Sequence, residues 1–266
     1  MFGPQDHMFA LCAYKESPYL EECLCSLLEQ AERSQIVVST STPNAHIADV
    51  AHRHGVRLVE HEGPSGIARD WLRALSCCDA PLVTIAHQDD VYLPAYRSTM
   101  LACMNEEERP LIFFSDYGEL RGTVAQDESR LLAVKRLMLR PLAPRPLRRS
   151  RFLRRRVLSL GSPICCPAVT YCLPNLPQPV FLDTMKCDLD WQAWERFSKL
   201  EGSFVYSDKL LMRHRIHEGS ETSALIQDNT RSREDLEMFQ KFWPAPIARV
   251  LNRVYSGSQA SNALDA

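Results

Sequence analysis

The sequence predicts an α/β protein built on a doubly wound, mostly parallel sheet with helices on both faces. Two observations predict this class. Short apolar runs typical of buried strands alternate with amphipathic stretches typical of helices through the first hundred residues. The segments between successive strand-like runs are long enough for a helical crossover, which parallel strands require and hairpins do not.

The first half of the chain carries four strand-like runs separated by three helical stretches. The predicted strands are His7–Tyr14, Gln35–Ser39, Val56–Glu60 and Pro81–Ala86. The predicted helices between them are Tyr19–Glu32, Asn44–His54 and Gly66–Cys77. The first of these helices has a start signal, because Ser17 suits an N-cap and Pro18 suits the first helical position.

The second half of the chain has a less regular pattern from Asp90 onward. Its predicted strands are Leu111–Ser115, Pro167–Leu173, Val180–Leu182, Ser203–Tyr206 and Lys209–Met212. Its predicted helices are Pro94–Glu107, the cationic residues 127–158, Asp188–Leu200 and Arg231–Phe242.

The domain organisation follows from the lack of any internal repeat or clean linker in the sequence. We expect a single domain over residues 1–243, with a first half at 1–115 and a more irregular second half at 116–243. Residues 244–266 form a predicted C-terminal tail, whose small polar end from Ser256 is expected to fray.

The composition excludes several classes of protein. With 45% hydrophobic residues, 24% charged residues and a net charge of −2, the chain is not a collagen, a coiled-coil rod or a wholly disordered protein. The sequence contains neither GxGxxG nor GxxxxGKS/T. This counts against a dinucleotide-binding Rossmann domain and against a P-loop NTPase.

The ten cysteines are predicted to be reduced thiols. They lie in strand-like and helix-like runs, two pairs are adjacent in sequence, and no CxxC spacing suggests zinc or redox chemistry. The N-terminal residues lack the pattern of a signal peptide, and no run reaches eighteen apolar residues. We therefore expect a cytoplasmic protein that does not span a membrane.

Residues 135–156 form a basic segment with ten Lys or Arg residues and no Asp or Glu. The rest of the chain contains 21 basic residues and all 33 acidic ones, so it is acidic overall. Because the arginines alternate with apolar residues, one interpretation is peripheral contact with an anionic membrane at its inner face. The alternatives are a solvated charged face or a protein-binding site. We expect no nucleic-acid partner, because the segment lacks a set of stacking aromatics.

The sharpest motif is His87-Gln88-Asp89-Asp90, directly after the fourth predicted strand. Ligands of open α/β sheets gather beyond the carboxyl ends of strands. Adjacent carboxylates at that position can hold a divalent ion whose shell is completed by substrate phosphates. The competing interpretation is a loop with a helix N-cap, where Asp is common.

Two more motifs lie in the second half. Asp188-Leu189-Asp190-Trp191 opens a predicted helix, where acidic residues also stabilise the helix dipole without any catalytic role. Arg213-His214-Arg215-Ile216-His217 follows a strand-like run. Histidines three residues apart can bind metal, but among arginines they are more often ordinary surface residues.

Taken in order, these motifs resemble those of a family 2 glycosyltransferase with the GT-A fold. The resemblance rests on AYKESPYLEECLCSLLEQ, HQDD, DWQAW and RHRIHEGSETS, and covers roughly residues 8–240. It implies a Rossmann-like, mostly parallel sheet flanked by helices. The first half would bind a nucleotide-diphosphate sugar, and the second half would bind the acceptor.

The resemblance also implies roles for individual residues. The residues implied to bind the nucleotide sugar are Ala13, Tyr14, Glu16, Ser39, Arg69 and Asp89. Ser39 stands near the position where the family usually has an Asp for the nucleobase, and Asp70 follows Arg69 where the family usually has Asn. The base of the donor is therefore left open.

The resemblance further implies a metal ion and a catalytic base. Asp89 and Asp90 correspond to the family's DxD-type motif, with His87 where a first Asp is often found. Together with His217, they would hold Mn²⁺ or Mg²⁺. Asp190, directly before Trp191, matches the catalytic base, and Asp188 is the second candidate.

The function implied is a metal-dependent, inverting, hexosyltransferase-like enzyme. It would move a sugar onto a cell-surface glycan, a lipid-linked or another acceptor, as in polysaccharide biosynthesis. A general base beside the acceptor hydroxyl and cationic groups at the diphosphate are what that reaction needs. The alternatives are a nucleotide-sugar hydrolase and a non-catalytic nucleotide-binding scaffold.

Overall fold

The structure, a computed structural model, describes residues 1–30, 35–217 and 230–264, with side chains described through Ser256. The strands are β1 His7–Ala13, β2 Gln35–Thr40, β3 Arg57–Glu60, β4 Leu82–His87, β5 Val91–Tyr92, β6 Pro110–Arg121, β7 Val124–Gln126, β8 Val169–Cys172 and β9 Ser203–Ile216. The helices are α1 Leu20–Leu28, α2 Ala45–Arg53, α3 Ile67–Ser76, α4 Tyr96–Asn105, α5 Arg130–Leu139, α6 Arg151–Leu158, α7 Leu189–Phe197, α8 Thr230–Gln240 and α9 Ala245–Leu264.

One nine-stranded sheet organises the chain, in the order β3-β2-β1-β4-β8-β6-β9-β5, with β7 paired to β6. The first four strands in this order are parallel, as are β6 and β9. The short strand β8 joins the two parallel groups by antiparallel pairing on both of its sides. The predicted α/β class with a mostly parallel sheet is therefore confirmed.

Alternate residues of β1 feed two hydrophobic clusters, one on each face of the sheet. Phe9 and Leu11 pack with α1, α2 and α4, whereas Met8 and Ala10 pack with α3 and α6 to α9. This alternation follows from the two-residue period of a strand buried on both faces. The helices α6 to α9 therefore share one face of the sheet, and α7 carries Asp190, the predicted catalytic base.

The predicted elements of the first half are all present, but the first helix begins later than predicted. Its first residue is Leu20, and its N-cap is Tyr19 rather than Ser17. The Ser17 hydroxyl accepts a hydrogen bond from the Tyr19 N–H at 3.3 Å, so Ser17 stabilises a turn that precedes the helix. A local Ser hydrogen bond can support either structure, and here it supports the turn.

The second half departs from the prediction in several places, among them the unpredicted strands β5 and β7. Residues 180–182 form no strand; Val180 and Phe181 are fully buried, and Phe181 packs edge-on against Trp71 and Tyr171. The two runs predicted near 203–212 are one continuous strand, β9. The basic stretch is divided into α5 and α6 by two short 3-10 turns that carry Pro141 and Pro146, because proline cannot continue a helix.

The C-terminal residues are helical instead of frayed. The backbone of α9 continues to Leu264, past the predicted fraying point at Ser256. Ala248 is fully buried, and Tyr255 packs against Phe239 of α8. Among the described residues, none of the helices combines the length and apolar character needed to cross a bilayer.

Candidate active site

Polar side chains gather where β1 and β4 end side by side. Gln88, the residue after β4, accepts a hydrogen bond from the Tyr14 N–H and donates one to the Tyr14 carbonyl, both at 2.9 Å. These reciprocal bonds fasten the loop after β1 to the loop after β4. They place Tyr14 and Asp89, two predicted donor-binding residues, at one edge of the sheet.

Asp89 contacts the end of β9 from this edge. Its Oδ2 lies 3.0 Å from Nε2 of His217, the residue that follows β9, and its carbonyl accepts a hydrogen bond from Nε of Arg215 at 2.8 Å. The Arg215 guanidinium lies 4.3 Å from the ring of Tyr19, which also packs on the His217 ring. Asp89 and His217 are each about one-fifth to one-quarter exposed, so their contact is open to solvent.

Asp90 is held differently from Asp89, because its carboxyl group is fully buried. Its Oδ1 accepts hydrogen bonds from the backbone N–H of Arg215 and from Nδ1 of His214, each at 2.9 Å. Burial opposes the charged form of His214, but the Asp90 carboxylate outweighs this effect, so the pKa of His214 lies above its usual range. Asp90 therefore ties β4 to β9 while its Oδ2 lacks a hydrogen-bond partner.

The fit of this edge to a divalent ion rests on Asp89 and His217. The Asp89 carboxylate oxygen and the His217 imidazole nitrogen lie 3.0 Å apart, and both are types of ligand that divalent ions bind. In the described part of the chain, no cluster of three or more Asp, Glu, His or Cys side chains forms a ready metal cage. Two protein ligands, with the rest of the shell supplied by a diphosphate, match the way nucleotide-bound ions are usually held.

Asp190 lies in the first turn of α7, and its charge acts on the same two residues, Cys165 and Cys166, as the charge of Asp90. Its Oδ1 accepts a hydrogen bond from the Trp191 N–H at 2.6 Å. Burial raises the pKa of Asp190 to about 6, against the opposing influence of that N–H and of the positive charges on Arg231 and Lys135. A carboxylate with a pKa raised in this way is a suitable proton acceptor near neutral pH.

Comparison with known families identifies the chain. The family model described as "Glycosyl transferase family 2" matches residues 9–171, which is more than half of the chain. The chain belongs to glycosyltransferase family 2. The resemblance inferred from its motifs is thereby confirmed, and glycosyl transfer becomes its class of activity.

Solved structures of nucleotide-sugar transferases share the fold of this family 2 chain. Staphylococcus aureus TarS 1-349 in complex with UDP-GlcNAc is 14% identical, with a TM-score of 0.56 over 93% of this chain and 70% of that one. Mannosyltransferase PcManGT from Pyrobaculum calidifontis, in complex with GDP-Man and Mn²⁺, is 13% identical, with a TM-score of 0.61 over 94% and 69%.

A third similar structure is glucosyl-3-phosphoglycerate synthase from Mycobacterium tuberculosis, in complex with Mn²⁺ and UDP-Glc. It is 14% identical, with a TM-score of 0.58 over 89% of this chain and 78% of that one. At these identities the likeness shows the GT-A fold alone. No curated protein sequence matches the chain at a significant level.

The remaining donor-side residues of this family 2 chain lie around the ends of β1, β2 and α3. Ala13 ends β1, and the exposed Glu16 follows in the next loop. Ser39 is buried in β2 opposite Cys12, and its hydroxyl lies 3.0 Å from Nε2 of His61. Arg69 of α3 reaches away from this cluster and pairs with Asp183 at 3.1 Å.

The loop before α7 is held by a residue that sequence reasoning missed. Glu234 of α8 accepts hydrogen bonds from the backbone N–H groups of Lys186, Cys187 and Asp188, at 2.8–3.2 Å. These are the residues that lead directly into α7. Nothing in the sequence around Glu234 distinguishes it from a surface helix residue, because its partners lie more than forty positions away.

Asp188, the second candidate for the base, is buried against Asp235 of α8. The two carboxyl groups interact, and burial raises the pKa of both, that of Asp235 to about 6. Burial, with the charges of Asp235 and Asp190, holds the pKa of Asp188 well above its usual range. Asp188 is only 4% exposed, so Asp190 is the better placed of the two to meet a substrate.

Cys165 and Cys166 lie in the loop before β8, near both Asp90 and Asp190. Burial raises the pKa of both thiols, and the charges of Asp90 and Asp190 raise them further. The loop is therefore within electrostatic range of both carboxylates, and its thiols stay protonated instead of acting as nucleophiles. All ten cysteines are unpaired, in agreement with the prediction of reduced thiols.

The basic segment 135–156 is largely neutralised within the fold. Six of its arginines form ion pairs with acidic residues elsewhere in the chain, listed here as pairs: Arg136–Asp116, Arg145–Glu107, Arg148–Glu106, Arg149–Glu108, Arg151–Glu201 and Arg155–Glu195. Lys135 donates a hydrogen bond to the Tyr117 hydroxyl, and the buried Arg154 donates one to the Leu200 carbonyl. The segment as a whole is therefore not one open cationic surface.

Proposed function

We propose that this family 2 chain is a metal-dependent, inverting glycosyltransferase that moves a sugar from a nucleoside diphosphate to an acceptor hydroxyl. The single observation that carries the proposal is the pairing of two walls. One wall presents Asp89 beside His217, and the other presents the Asp190 carboxyl with its pKa raised to about 6. A site that binds the leaving diphosphate on one wall and carries the proton acceptor on the other is suited to direct displacement at the anomeric carbon.

The donor wall handles the leaving group in this proposal. Asp89 and His217 hold a divalent ion, Mn²⁺ or Mg²⁺, with Asp90 fixing the β4–β9 junction behind them. When bound, the ion supplies positive charge to the diphosphate as the glycosidic bond breaks. Asp89 also contacts the donor ribose, and the loop from Ala13 to Glu16 lies where the nucleobase binds.

The acceptor wall handles the proton. The acceptor oxygen attacks the anomeric carbon from the face opposite the diphosphate, and its proton passes to Asp190. The Glu234 hydrogen bonds support this step, because they fix the loop that carries Asp190 into the site. The configuration at the anomeric carbon is inverted by this single displacement.

The donor and the acceptor are proposed only as classes. The similar structures were solved with UDP-GlcNAc, GDP-Man and UDP-Glc, which makes those three hexose donors the first to test. The acceptor is a cell-surface glycan or a lipid-linked glycan on the cytoplasmic side of a membrane, and no nucleic acid takes part. The second half of the chain, over a hundred residues beyond the predicted donor-binding half, supports an acceptor larger than water.

The test is a donor screen by thermal shift, with and without Mn²⁺, followed by transfer assays. At a donor concentration near one hundred times its Kd, binding stabilises the fold by about 2.7 kcal/mol, which raises Tm by roughly 5 °C. We expect this rise only when Mn²⁺ or Mg²⁺ is present. Rapid release of free sugar that no acceptor accelerates would identify a hydrolase, and binding without turnover of any donor would identify a scaffold.

A further inference from the structure

The last helix, α9, is apolar on two sides. Its inward side packs Ala248, Leu251 and Tyr255 against the core. Its outward side presents Ile247, Val250 and Val254, which are 45%, 59% and 69% exposed. The spacing of i, i+3 and i+7 places these three residues along one stripe of the helix. A helix that already has a packed side has no structural need for a second apolar stripe.

A second outward stripe lies on α6. Phe152 is 68% exposed, and Leu160, two residues beyond the end of the helix, is 52% exposed. Arg156 lies between them in sequence, at the i+4 spacing that shares one helix face. Its guanidinium packs 5.6 Å from the Phe152 ring.

Contacts between the two helices make the stripes neighbours. The same Arg156 guanidinium lies 4.8 Å from the ring of Trp243, which directly precedes the first turn of α9. Trp243 Nε1 donates a hydrogen bond to the Ser159 carbonyl at 2.7 Å, and the Tyr255 hydroxyl accepts one from the Ser162 N–H at 3.5 Å. The end of α6 and the residues that follow it therefore lie against Trp243 and Tyr255, so the two stripes lie near each other.

The charged residues of the two helices are all arginines, of which Arg151 and Arg155 are paired with Glu201 and Glu195. The sequence of α6 contains four arginines and that of α9 contains two, and neither helix contains Asp or Glu. Arg156, Arg249 and Arg253 are exposed. Exposed arginines that border exposed apolar side chains are the composition of helices that lie in the interface of an anionic bilayer.

We propose that Phe152, Arg156, Leu160, Ile247, Val250 and Val254 form a docking surface, called here the α6–α9 surface, for a membrane that contains anionic lipids. The apolar side chains enter the headgroup region, and the arginines contact lipid phosphates. This assigns membrane contact to α6 and α9 instead of to the whole basic segment, much of which is paired internally.

The side chain of Trp191 connects the α6–α9 surface to Asp190, the proposed catalytic base. Trp191, next to Asp190, donates a hydrogen bond from Nε1 to the Leu158 carbonyl of α6 at 3.1 Å, and its ring lies 6.0 Å from that of Tyr255 in α9. A bilayer on this surface would bring a lipid-linked acceptor to the acceptor wall. Only this link to the acceptor rests on the proposed function, since vesicle binding requires no catalysis.

The experiment is flotation of the full chain with vesicles of neutral phosphatidylcholine, and of phosphatidylcholine with one-fifth phosphatidylglycerol, at low and high salt. We expect binding to the anionic vesicles, at least tenfold weaker binding to the neutral ones, and partial release by salt. Val254→Asp should reduce the binding at least tenfold. The matched control is Val124→Asp, which introduces the same charge at a residue that is 66% exposed in β7, and should bind normally.

Two results would overturn the proposal. The first is the absence of flotation with either vesicle, or equal flotation of Val254→Asp and the unmodified chain. The second is a dimer in sedimentation that Val254→Asp dissociates without vesicle binding by either form, which would assign the surface to a second copy of the chain. Mn²⁺-dependent donor binding, measured on the same variants without lipid, shows separately whether the proposed function stands.

Discussion

The donor wall and the acceptor wall use the same residue type, aspartate, in opposite surroundings. At the donor wall, the carboxyl groups of Asp89 and Asp90 contact the imidazoles of His217 and His214, and Arg215 donates hydrogen bonds to the Asp89 carbonyl and, from its backbone N–H, to the Asp90 carboxyl group. At the acceptor wall, burial raises the pKa of Asp190 to about 6, against the opposing positive charges of Arg231 and Lys135. In the proposed function, position in the fold, and not residue type, separates the ion-binding carboxylate from the proton acceptor.

The two walls also differ in how they are built. Strand ends and the loops after them form the donor wall, and β9 spans from Ser203 to Ile216, directly before His217. The acceptor wall is the first turn of α7, held in place by α8. Because the two walls are built from different elements, a substitution in one wall should leave the other unchanged.

The largest effect is expected from Asp190→Asn, which removes the proton acceptor from the acceptor wall. Asparagine keeps the shape of the side chain and can still accept the hydrogen bond from the Trp191 N–H. Sugar transfer should fall at least about a hundredfold, which is the contribution of a positioned general base. Donor binding should be unchanged, because the diphosphate lies at the other wall.

The control for this variant is Asp79→Asn, which makes the same change at an exposed residue before β4. Steady-state transfer assays and donor thermal shifts on both variants measure the effect. Transfer by Asp190→Asn at a near-normal rate would move the base elsewhere, with Asp188 as the first residue to examine.

The next effect separates Asp89 from Asp90 within the donor wall. Asp89→Asn should weaken Mn²⁺-dependent donor binding by at least tenfold and leave the free energy of unfolding nearly unchanged. Asp90→Ala should instead destabilise the fold by about 1–3 kcal/mol, because it leaves the buried Arg215 N–H without its acceptor. Denaturant unfolding and donor titrations distinguish the two; loss of donor binding by Asp90→Ala at full stability would make Asp90 a direct ligand.

A smaller effect is expected from Glu234→Gln, which weakens the support of the acceptor wall. The amide cannot replace a carboxylate that accepts three backbone N–H bonds, so the loop before α7 should loosen. We expect kcat to fall about tenfold with the donor KM unchanged, and Glu234→Asp to restore part of the loss. Glu237→Gln, an exposed residue on the same helix, is the control; a change in donor KM alone would contradict the assignment.

The smallest effect is the pH dependence of the unmodified protein. Asp190 accepts a proton only when ionised, and its pKa is about 6, so activity should rise with pH through this value. The rate at pH 5 should be about tenfold below the plateau, and the rate at pH 6 about half of it. The acidic limb should disappear in Asp190→Asn, whose residual rate is expected to be flat; an unchanged limb would assign it to another group.

Much of the donor wall was predictable from sequence because its residues follow strands with a clear period. The HQDD motif is directly after β4, and the order of the first four strands fixes its place at the sheet edge. The other residues of this wall were harder to predict from the sequence. Arg215 contacts Asp89 across 126 positions, and no local pattern indicates which of the two arginines beside His214 makes that contact.

The acceptor wall was predictable only where a motif exists. Asp190 could be singled out by its place before Trp191, but Glu234 and Asp235 belong to a helix whose polar residues look ordinary in sequence. The expected strand at Val180–Leu182 was wrong for a related reason. Its apolar residues are buried by aromatic packing instead of by strand pairing, and burial alone does not distinguish the two.

The tryptophans give each wall its own optical probe. Trp71 stacks on His87 at 5.3 Å, two residues from Asp89, whereas Trp191 adjoins Asp190 and Trp243 borders the α6–α9 surface. Binding of the nucleotide sugar at the donor wall should change the fluorescence emission of Trp71, and contact with lipid should change that of Trp243. With one of these indoles retained at a time, the order in which donor and membrane engage the protein becomes a measurable sequence of fluorescence changes.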